Sequence, residues 1–211
     1  MTDSPVGLVV VDVQNDFCEG GRLQVDGGIE VAKRIADFLD GHSDDYATIV
    51  ATKDYHHDPG PHFASAIGNN PDFLDSWPDH CLADSVGAEF CPSVAGALND
   101  AGAVVFLKGE RSAAYSGFEA TLEADPDVSL GEWLEAFEVT GVDVVGLATD
   151  YCVKATALEA VRLGFAARIL TDLVAGVAPE STNLALVEIE DAGVYMAFSG
   201  SVTDSGFPGS R

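Results

Sequence analysis

The sequence has 211 residues, of which 47% are hydrophobic, a length and composition that predict one folded domain over residues 1–211. Its 35 acidic and 10 basic residues give a formal net charge of −25, so we expect a surface that repels nucleic acid and anionic membranes and favours a neutral partner. No basic segment precedes the first apolar run and no run is long enough to cross a bilayer, which argues against a signal peptide and a membrane span.

Short apolar runs rich in valine and isoleucine predict six buried strands. They are Leu8–Val11, Ala47–Ala51, Val104–Leu107, Val142–Leu147, Ala167–Leu170 and Val194–Ala197. Segments with helical spacing or a helix-start signal predict four helices. These are Gly28–Leu39, Leu130–Phe137, Asp150–Leu163 and Pro179–Asp191. Because most strands are separated by helices, we expect an α/β fold with a parallel sheet covered on both faces.

Two segments lie outside the predicted elements. The stretch Asp54–Pro92 is long for a connection and contains aromatic residues and histidines, which favours a functional loop. The last stretch, Ser199–Arg211, is rich in serine and glycine and predicts a loose tail.

The four cysteines form no CxxC pair, and without a secretory signal they indicate reduced thiols in a cytoplasmic protein. Cys152 lies just beyond a predicted strand, in the first turn of a predicted helix. The free N–H groups of such a turn stabilise a thiolate and can hold an oxyanion. A cysteine packed in the core would give the same local pattern.

Asp12 and Lys108 each directly follow an apolar strand. In open parallel sheets, active sites form outside the carboxyl ends of the strands, so Asp12, Lys108 and Cys152 are expected to meet in one crevice. An acid, a cation and a thiol at one place can activate the thiol and protonate a leaving amine. Taken singly, Asp12 could cap a turn and Lys108 could extend to solvent.

A group of possible metal ligands follows the second strand. Asp54 and His56 flank Tyr55, so both side chains can face the same side of an extended segment. His62 and His80 come further along, and one carboxylate with three imidazoles suits zinc, iron or manganese. His57 should point away from this group. A histidine-rich solvated loop is the alternative.

Five motifs occur in an order that resembles the nicotinamidases of the isochorismatase-like cysteine hydrolase superfamily, with spacing most similar to bacterial pyrazinamidases. They read VDVQNDFCEGG, TKDYHHDPGPHF, SWPDHC, KGERSAAYSGF and GLATDYCV. The resemblance implies a three-layer sandwich whose six-stranded, mainly parallel sheet has the order 3-2-1-4-5-6.

The resemblance also assigns functions to individual residues. It implies a catalytic triad of Asp12, Lys108 and Cys152, and a cis peptide bond between Leu147 and Ala148, with the amides of Ala148 and Cys152 facing an oxyanion. The implied metal ligands are Asp54, His56, His62 and His80. The implied aromatic residues of the substrate pocket are Phe17, Trp77 and Tyr115.

The activity implied by the resemblance is hydrolysis of nicotinamide, and of pyrazinamide, to the carboxylic acid and ammonia through a cysteine thioester. One divalent transition metal ion, iron, manganese or zinc, is the expected cofactor. The expected partner is a small molecule, with no nucleic acid and no membrane, and a homo-oligomer stays open. Two alternatives also stay open: an amidase for another small amide or carbamoyl compound, and a non-catalytic metal-binding or thiol-sensing protein.

Overall fold

The computed structural model describes residues 5–202 and residue 207, and its centre is a sheet of eight strands. The strands are β1 (Val6–Val11), β2 (Thr48–Asp54), β3 (Val104–Lys108), β4 (Thr121–Leu122), β5 (Asp125–Ser129), β6 (Gly141–Leu147), β7 (Ala166–Ala175) and β8 (Tyr195–Ala197). They follow the order β5-β4-β3-β2-β1-β6-β7-β8. The six strands β3-β2-β1-β6-β7-β8 run parallel, and their order is the one that the family resemblance implied.

The expectation of six strands is wrong, because β4 and β5 extend the sheet as antiparallel strands beyond β3. The strand β4 has two residues, and β5 has the sequence DPDVS with its first three residues exposed. Neither segment has an apolar run or a buried alternating face, so the pattern that revealed the other strands is missing here.

In the described part of the chain, five helices of seven or more residues cover the sheet: α1 (Gly28–His42), α2 (Pro92–Asp100), α3 (Leu130–Ala136), α4 (Lys154–Arg162) and α5 (Pro179–Asp191). Helix α2 was not predicted, although Pro92 occupies its first turn and Val94 and Leu98 form its buried face. The predicted helix from Asp150 begins as one wide turn, Thr149–Val153, before α4. Among the described residues, no helix is both long and apolar enough to cross a membrane.

Alternate residues of β1 pack into two hydrophobic clusters, one on each face of the sheet. Leu8 and Val10 pack in the cluster that includes the buried faces of α1 and α2. Val9 and Val11 pack in the cluster that includes the buried faces of α3, α4 and α5. Because successive side chains of a strand point to opposite faces, β1 is buried on both sides, which explains its unbroken apolar sequence.

The long segment Asp54–Pro92 contains only short helical turns and isolated bridges before α2 begins. Its backbone is nonetheless tied to the carboxyl ends of the strands. His56 pairs with Leu82, and Gln14 pairs with Phe90. The predicted loose tail lies largely outside the described residues; 199–201 form a short helical turn.

A buried ion pair joins the neighbouring strands β6 and β7. Arg168 donates to both carboxylate oxygens of Asp143 at 2.7 and 2.8 Å, and Tyr46 donates to Asp143 at 2.7 Å. Asp143 has no exposed surface and Arg168 is 8% exposed. Burial lowers the pKa of Arg168, but Asp143 outweighs burial and raises it.

We predict that Asp143→Ala lowers the free energy of unfolding by about 3–5 kcal/mol, because it leaves a buried guanidinium without its carboxylate. Urea denaturation measures this change. Asp40→Ala removes an exposed carboxylate from α1 and should change stability by less than about 0.5 kcal/mol. Equal effects of the two substitutions would contradict the prediction.

Candidate active site

The carboxyl ends of four neighbouring strands bring together the residues that the sequence singled out. Asp12 directly follows β1, and Asp54 and Lys108 end β2 and β3, where they are paired in register. Cys152 lies in the wide turn after β6. All four are buried, with exposed fractions from 0 to 6%.

The ammonium of Lys108 is the centre of this group. Its Nζ lies 2.9 Å from Asp12 Oδ2 and also donates to Asp54 Oδ1. The same atom is 3.6 Å from Cys152 Sγ and donates at 3.3 Å to the carbonyl of Ala114. One cation therefore contacts two carboxylates and the thiol at once.

The ionisation of Lys108 and Asp54 follows from this contact. Burial lowers the pKa of Lys108, but Asp12 and Asp54 outweigh burial and hold it well above its usual range. Burial raises the pKa of Asp54, but Lys108, followed by the nearby imidazoles of His56 and His80, holds it well below its usual range. These two side chains are charged at neutral pH.

The pKa values of Asp12 and Cys152 are both raised, although a nearby cation alone would lower them. Burial raises the pKa of Asp12, which Lys108 opposes, and Asp54 raises it further. Burial also raises the pKa of the Cys152 thiol well above its usual range; Lys108 opposes this, but Asp12 and Asp54 add to it. The thiol is therefore protonated at rest, and a carboxylate with a raised pKa lies within 4.8 Å of its sulfur.

Two supporting residues, Thr52 and Gln14, were not identified from the sequence. The hydroxyl of Thr52 donates to Asp12 Oδ1 at 2.6 Å. Asp12 adopts a φ of 48°, a left-handed conformation that few non-glycine residues take. Gln14 donates to the carbonyl of Asp54 at 2.8 Å and accepts from its N–H at 2.9 Å. The only sequence signal is polar residues within or beside apolar strands, where a buried polar group needs a partner.

The turn that carries Cys152 is anchored by its neighbour Asp150. Asp150 accepts hydrogen bonds from the N–H groups of Val177 and Ala178, at 2.9 and 3.4 Å, and from the hydroxyl of Ser181. It thereby connects the turn to the loop before α5. The peptide bond between Leu147 and Ala148, at the start of the turn, is cis, as the resemblance implied.

The three histidines expected to bind metal form a compact buried group. One nitrogen from each of His56, His62 and His80 lies within 4.8 Å of the others, and Asp54 Oδ2 is 3.8 Å from Nε2 of both His56 and His80. Burial, then the charges of His80 and His56, lowers the pKa of His62 to about 4, so its imidazole is neutral and able to bind metal. His57 is exposed.

The hydrogen bonds of these histidines leave metal-binding nitrogens free. Nδ1 of His56 bonds to the carbonyl of Gly109 at 2.5 Å, and Nδ1 of His80 bonds to the carbonyl of Pro78 at 2.7 Å. Such bonds fix the ring and direct the other nitrogen to the metal. Within the described part of the chain, His56 Nε2 and His62 Nδ1 are buried without a hydrogen-bond partner. The donor set therefore fits a divalent metal ion.

A cavity opens onto both the thiol and the histidines. It includes every residue that the resemblance assigned to the substrate pocket, together with four residues to which the resemblance gave no function: Leu23, Val25, Tyr151 and Val177. Trp77 Nε1 donates to the hydroxyl of Tyr115 at 3.0 Å, and the Trp77 ring meets that of Tyr151 edge-on. The complete lining is Phe17, Leu23, Val25, Asp54, His62, Trp77, His80, Tyr115, Ala148, Tyr151, Cys152 and Val177.

Comparison with known proteins agrees with this arrangement. The isochorismatase domain matches residues 6–199. The chain belongs to the isochorismatase domain family. A nicotinamidase/pyrazinamidase of Mycobacterium tuberculosis is 48% identical over 192 residues, which are 91% of this chain and 98% of that relative.

Two solved structures with a similar fold contain a bound metal or inhibitor. A pyrazinamidase of Pyrococcus horikoshii in complex with zinc has a TM-score of 0.75 and 33% identity, covering 92% of this chain and 98% of that one. A yeast nicotinamidase bound to the inhibitor nicotinaldehyde has a TM-score of 0.80 and 26% identity, covering 92% of this chain and 99% of that one. The family expected from the five motifs is confirmed.

We predict that Gly109→Ala weakens metal binding. A Cβ at Gly109 would lie 2.6 Å from Cε1 of His56, and the φ of 75° is strained for any other residue. His56 must therefore move from its hydrogen bond with residue 109. Competition with a chromogenic chelator should show zinc affinity at least about tenfold lower, the smaller of the losses typical of a disturbed ligand support.

The matched control is Gly41→Ala. Gly41 lies in α1, and a Cβ there would meet nothing within 4 Å, so this variant should keep its zinc affinity and its stability. If Gly109→Ala bound zinc as tightly as Gly41→Ala, the carbonyl and close packing of Gly109 would have no function in holding His56.

Proposed function

We propose that this chain is a nicotinamidase that hydrolyses nicotinamide, and pyrazinamide, to the carboxylic acid and ammonia. The decisive observation is a buried thiol, 3.6 Å from a lysine ammonium between two carboxylates, at the wall of an aromatic cavity that also contains histidine ligands. The 48% identity to a nicotinamidase/pyrazinamidase supports the same substrate class. The chain is thus an amidohydrolase whose substrate is a small uncharged carboxamide.

The first half of the proposed reaction forms a thioester. Asp12 takes the proton of the Cys152 thiol, and Lys108 stabilises the sulfur anion as it forms a bond to the carboxamide carbon. Backbone N–H groups of Ala148 and Cys152 stabilise the oxyanion, and one such donor is typically worth about 3 kcal/mol of barrier. Asp12 then gives its proton to the amide nitrogen, the C–N bond breaks, and ammonia leaves.

The second half returns the enzyme to its starting state. Asp12 accepts a proton from a water molecule, whose oxygen attacks the thioester carbon. The C–S bond breaks, the carboxylic acid forms, and Asp12 returns a proton to Cys152. The raised pKa of Asp12 suits both directions of transfer, because a catalytic acid–base group works best with a pKa near the operating pH.

The proposed cofactor is one iron, manganese or zinc ion held by Asp54, His56, His62 and His80. When bound, the ion would supply a coordination position for the ring nitrogen of a pyridine or pyrazine substrate. Asp54 would interact with both the ammonium of Lys108 and the metal ion. One of its oxygens accepts from Lys108, and the other lies 3.8 Å from nitrogens of His56 and His80. These ligands favour a borderline transition metal over calcium.

The cavity favours an aromatic amide over the alternative substrates. Phe17, Trp77, Tyr115 and Tyr151 provide ring surfaces, and the cavity is also lined by Asp54 and Cys152, whose side-chain oxygen and sulfur lie within 4.8 Å of each other. A flat heteroaromatic ring buries its faces against such walls. An aliphatic carbamoyl compound would leave this apolar surface uncovered, and a purely metal-binding protein has no need of the carboxylate, ammonium and thiol.

We predict that Cys152→Ala lowers kcat for nicotinamide by about 10⁴-fold or more while the fold is retained, because the nucleophile is lost. Ammonia release measures turnover, and circular dichroism checks the fold. Cys91→Ala removes a buried thiol outside the cavity and should keep near-normal kcat. If Cys152→Ala turned over nicotinamide nearly as fast as the unmodified protein, the thioester mechanism would be ruled out.

We predict about one divalent ion per chain in the purified protein, and its loss in His56→Ala and in His80→Ala. His57→Ala should retain the ion, because His57 is exposed and lies 3.7 Å from Glu110 instead of facing the other histidines. Elemental analysis of the three variants tests the ligand set. If the ion anchors the ring nitrogen, its removal should raise KM more than it lowers kcat. Metal lost only from His57→Ala would overturn the assignment.

A further inference from the structure

Two buried threonines hold the residues between which the thiol proton would move. Thr52 lies in β2 and Thr156 lies in α4, and neither has exposed surface. Neither of them lines the substrate cavity. They can therefore affect the reaction only through the groups that they hold, Asp12 and Cys152.

Thr52 fixes one oxygen of the Asp12 carboxylate. Its hydroxyl donates to Oδ1 at 2.6 Å and accepts from the N–H of Asp12 at 3.3 Å. Among the described residues, Oδ2 has no hydrogen-bond partner, although it lies in ion-pair contact with Lys108 at 2.9 Å. Because the hydroxyl has a single proton to donate, it stays directed at Oδ1. The other oxygen, Oδ2, is left to accept the thiol proton.

Thr156 holds the backbone of Cys152 and connects it to the segment that follows Tyr115. Its hydroxyl donates to the carbonyl of Cys152 at 2.7 Å and accepts from the N–H of Gly117 at 2.8 Å. Gly117 begins a short helical turn two residues after Tyr115, which lines the cavity. Since a buried N–H needs a partner, this hydroxyl ties Gly117 to the turn that carries Cys152.

Gly117 lies between the two threonines. A Cβ at Gly117 would lie 3.3 Å from Cγ2 of Thr52 and 3.3 Å from Cγ2 of Thr156. The two methyl groups thus pack against the same backbone position, and a side chain there would have to displace them. One threonine bonds to Asp12 and the other to Cys152, so a single contact point sets the position of both residues.

We infer that Thr52 and Thr156 are positioning residues, which with Gly117 between them fix the Asp12 carboxylate relative to the Cys152 thiol. This role rests on the proposed function, in which Asp12 takes the thiol proton. A displacement of about 1 Å between reacting groups can cost about 10²-fold in rate. Each hydroxyl therefore acts on kcat, whereas substrate binding depends on the cavity walls.

Thr52→Val and Thr156→Val test this role, because valine keeps the shape of threonine and removes the hydroxyl. With nicotinamide, each variant should lose about 10²-fold in kcat, the cost of a displacement of about 1 Å, with KM unchanged. Thr52→Ser and Thr156→Ser retain the hydroxyl and should recover most of kcat. The matched control is Thr48→Val at the other end of β2, which removes a buried hydroxyl bonded to Trp133 Nε1 at 3.0 Å and should keep kcat.

Alkylation of Cys152 by iodoacetamide separates this role from the proposed function, because it requires removal of the thiol proton but not that nicotinamide is the substrate. Mass spectrometry of the Cys152 peptide should show alkylation at least about tenfold slower in Thr52→Val, since a well-placed base contributes at least that much. Thr52→Ser should react at the normal rate. If the unmodified protein released no ammonia from nicotinamide, the proposed function would fail, and the alkylation rates would still decide the role of Thr52. Equal rates in Thr52→Val and the unmodified protein would overturn it.

Two combinations of substitutions test whether the threonines act as one unit. Thr52→Val with Thr156→Val should lose less in kcat than the product of the two single losses, because residues that set the same distance are not independent. Gly117→Ala should lower kcat, since its methyl group presses on both threonines. Adding Thr52→Ser and Thr156→Ser to Gly117→Ala removes the two opposing methyl groups and should restore kcat.

Four results would each contradict the inference. They are a rise in KM in place of a fall in kcat, valine variants no more impaired than Thr48→Val, single losses that multiply in the double variant, and a Gly117→Ala defect that the two added substitutions do not relieve.

Discussion

A buried ammonium is stable in a protein interior only when carboxylates compensate for its lost hydration, and Lys108 meets this requirement with two of them. The register of the sheet provides this arrangement. Pairing of Asp54 with Lys108 at the ends of β2 and β3 sets one carboxylate beside the cation, and Asp12 at the end of β1 supplies the second. Removing either carboxylate would leave the buried ammonium with a single carboxylate beside the thiol, so the same contacts stabilise the fold and define the ionisation of Cys152.

Asp54 makes the catalytic group and the histidine cluster electrostatically dependent on each other. One of its oxygens accepts from Lys108, while the other lies 3.8 Å from nitrogens of His56 and His80. A cation bound among the histidines would draw negative charge away from Lys108 and, through it, change the field at Cys152. Gln14 holds the backbone of Asp54 from both its N–H and its carbonyl, which keeps the shared carboxylate in one position.

The sequence predicted those features that depend on strong local patterns. Unbroken apolar runs located β1, β2, β3 and β6, and the rule for strand ends placed Asp12, Lys108 and Cys152 together. The hairpin of β4 and β5 has too few apolar residues to show such a pattern, and α2 was overlooked at the end of a long irregular segment. The packing partners Thr52, Gln14 and Tyr151 depend on contacts between segments about 40 or more residues apart. The protonation of Cys152 was also beyond local sequence, because a helix start and a lysine both favour a thiolate, and only burial beside two carboxylates reverses that expectation.

The charges of the resting site also bear on which substrate the proposed chemistry suits. With Lys108 positive, Asp54 negative and the thiol neutral, Asp12 in its carboxylate form brings the local sum to −1 before any metal is counted. A neutral carboxamide can enter without disturbing this balance, and transfer of the thiol proton to Asp12 moves charge by less than 4.8 Å inside the same group. The product acid ionises, and its carboxylate then faces Asp12 and Asp54 at close range within a protein of net charge −25. Repulsion between like charges in a medium of low dielectric constant is strong, so the arrangement that accepts a neutral amide also favours release of the anionic product.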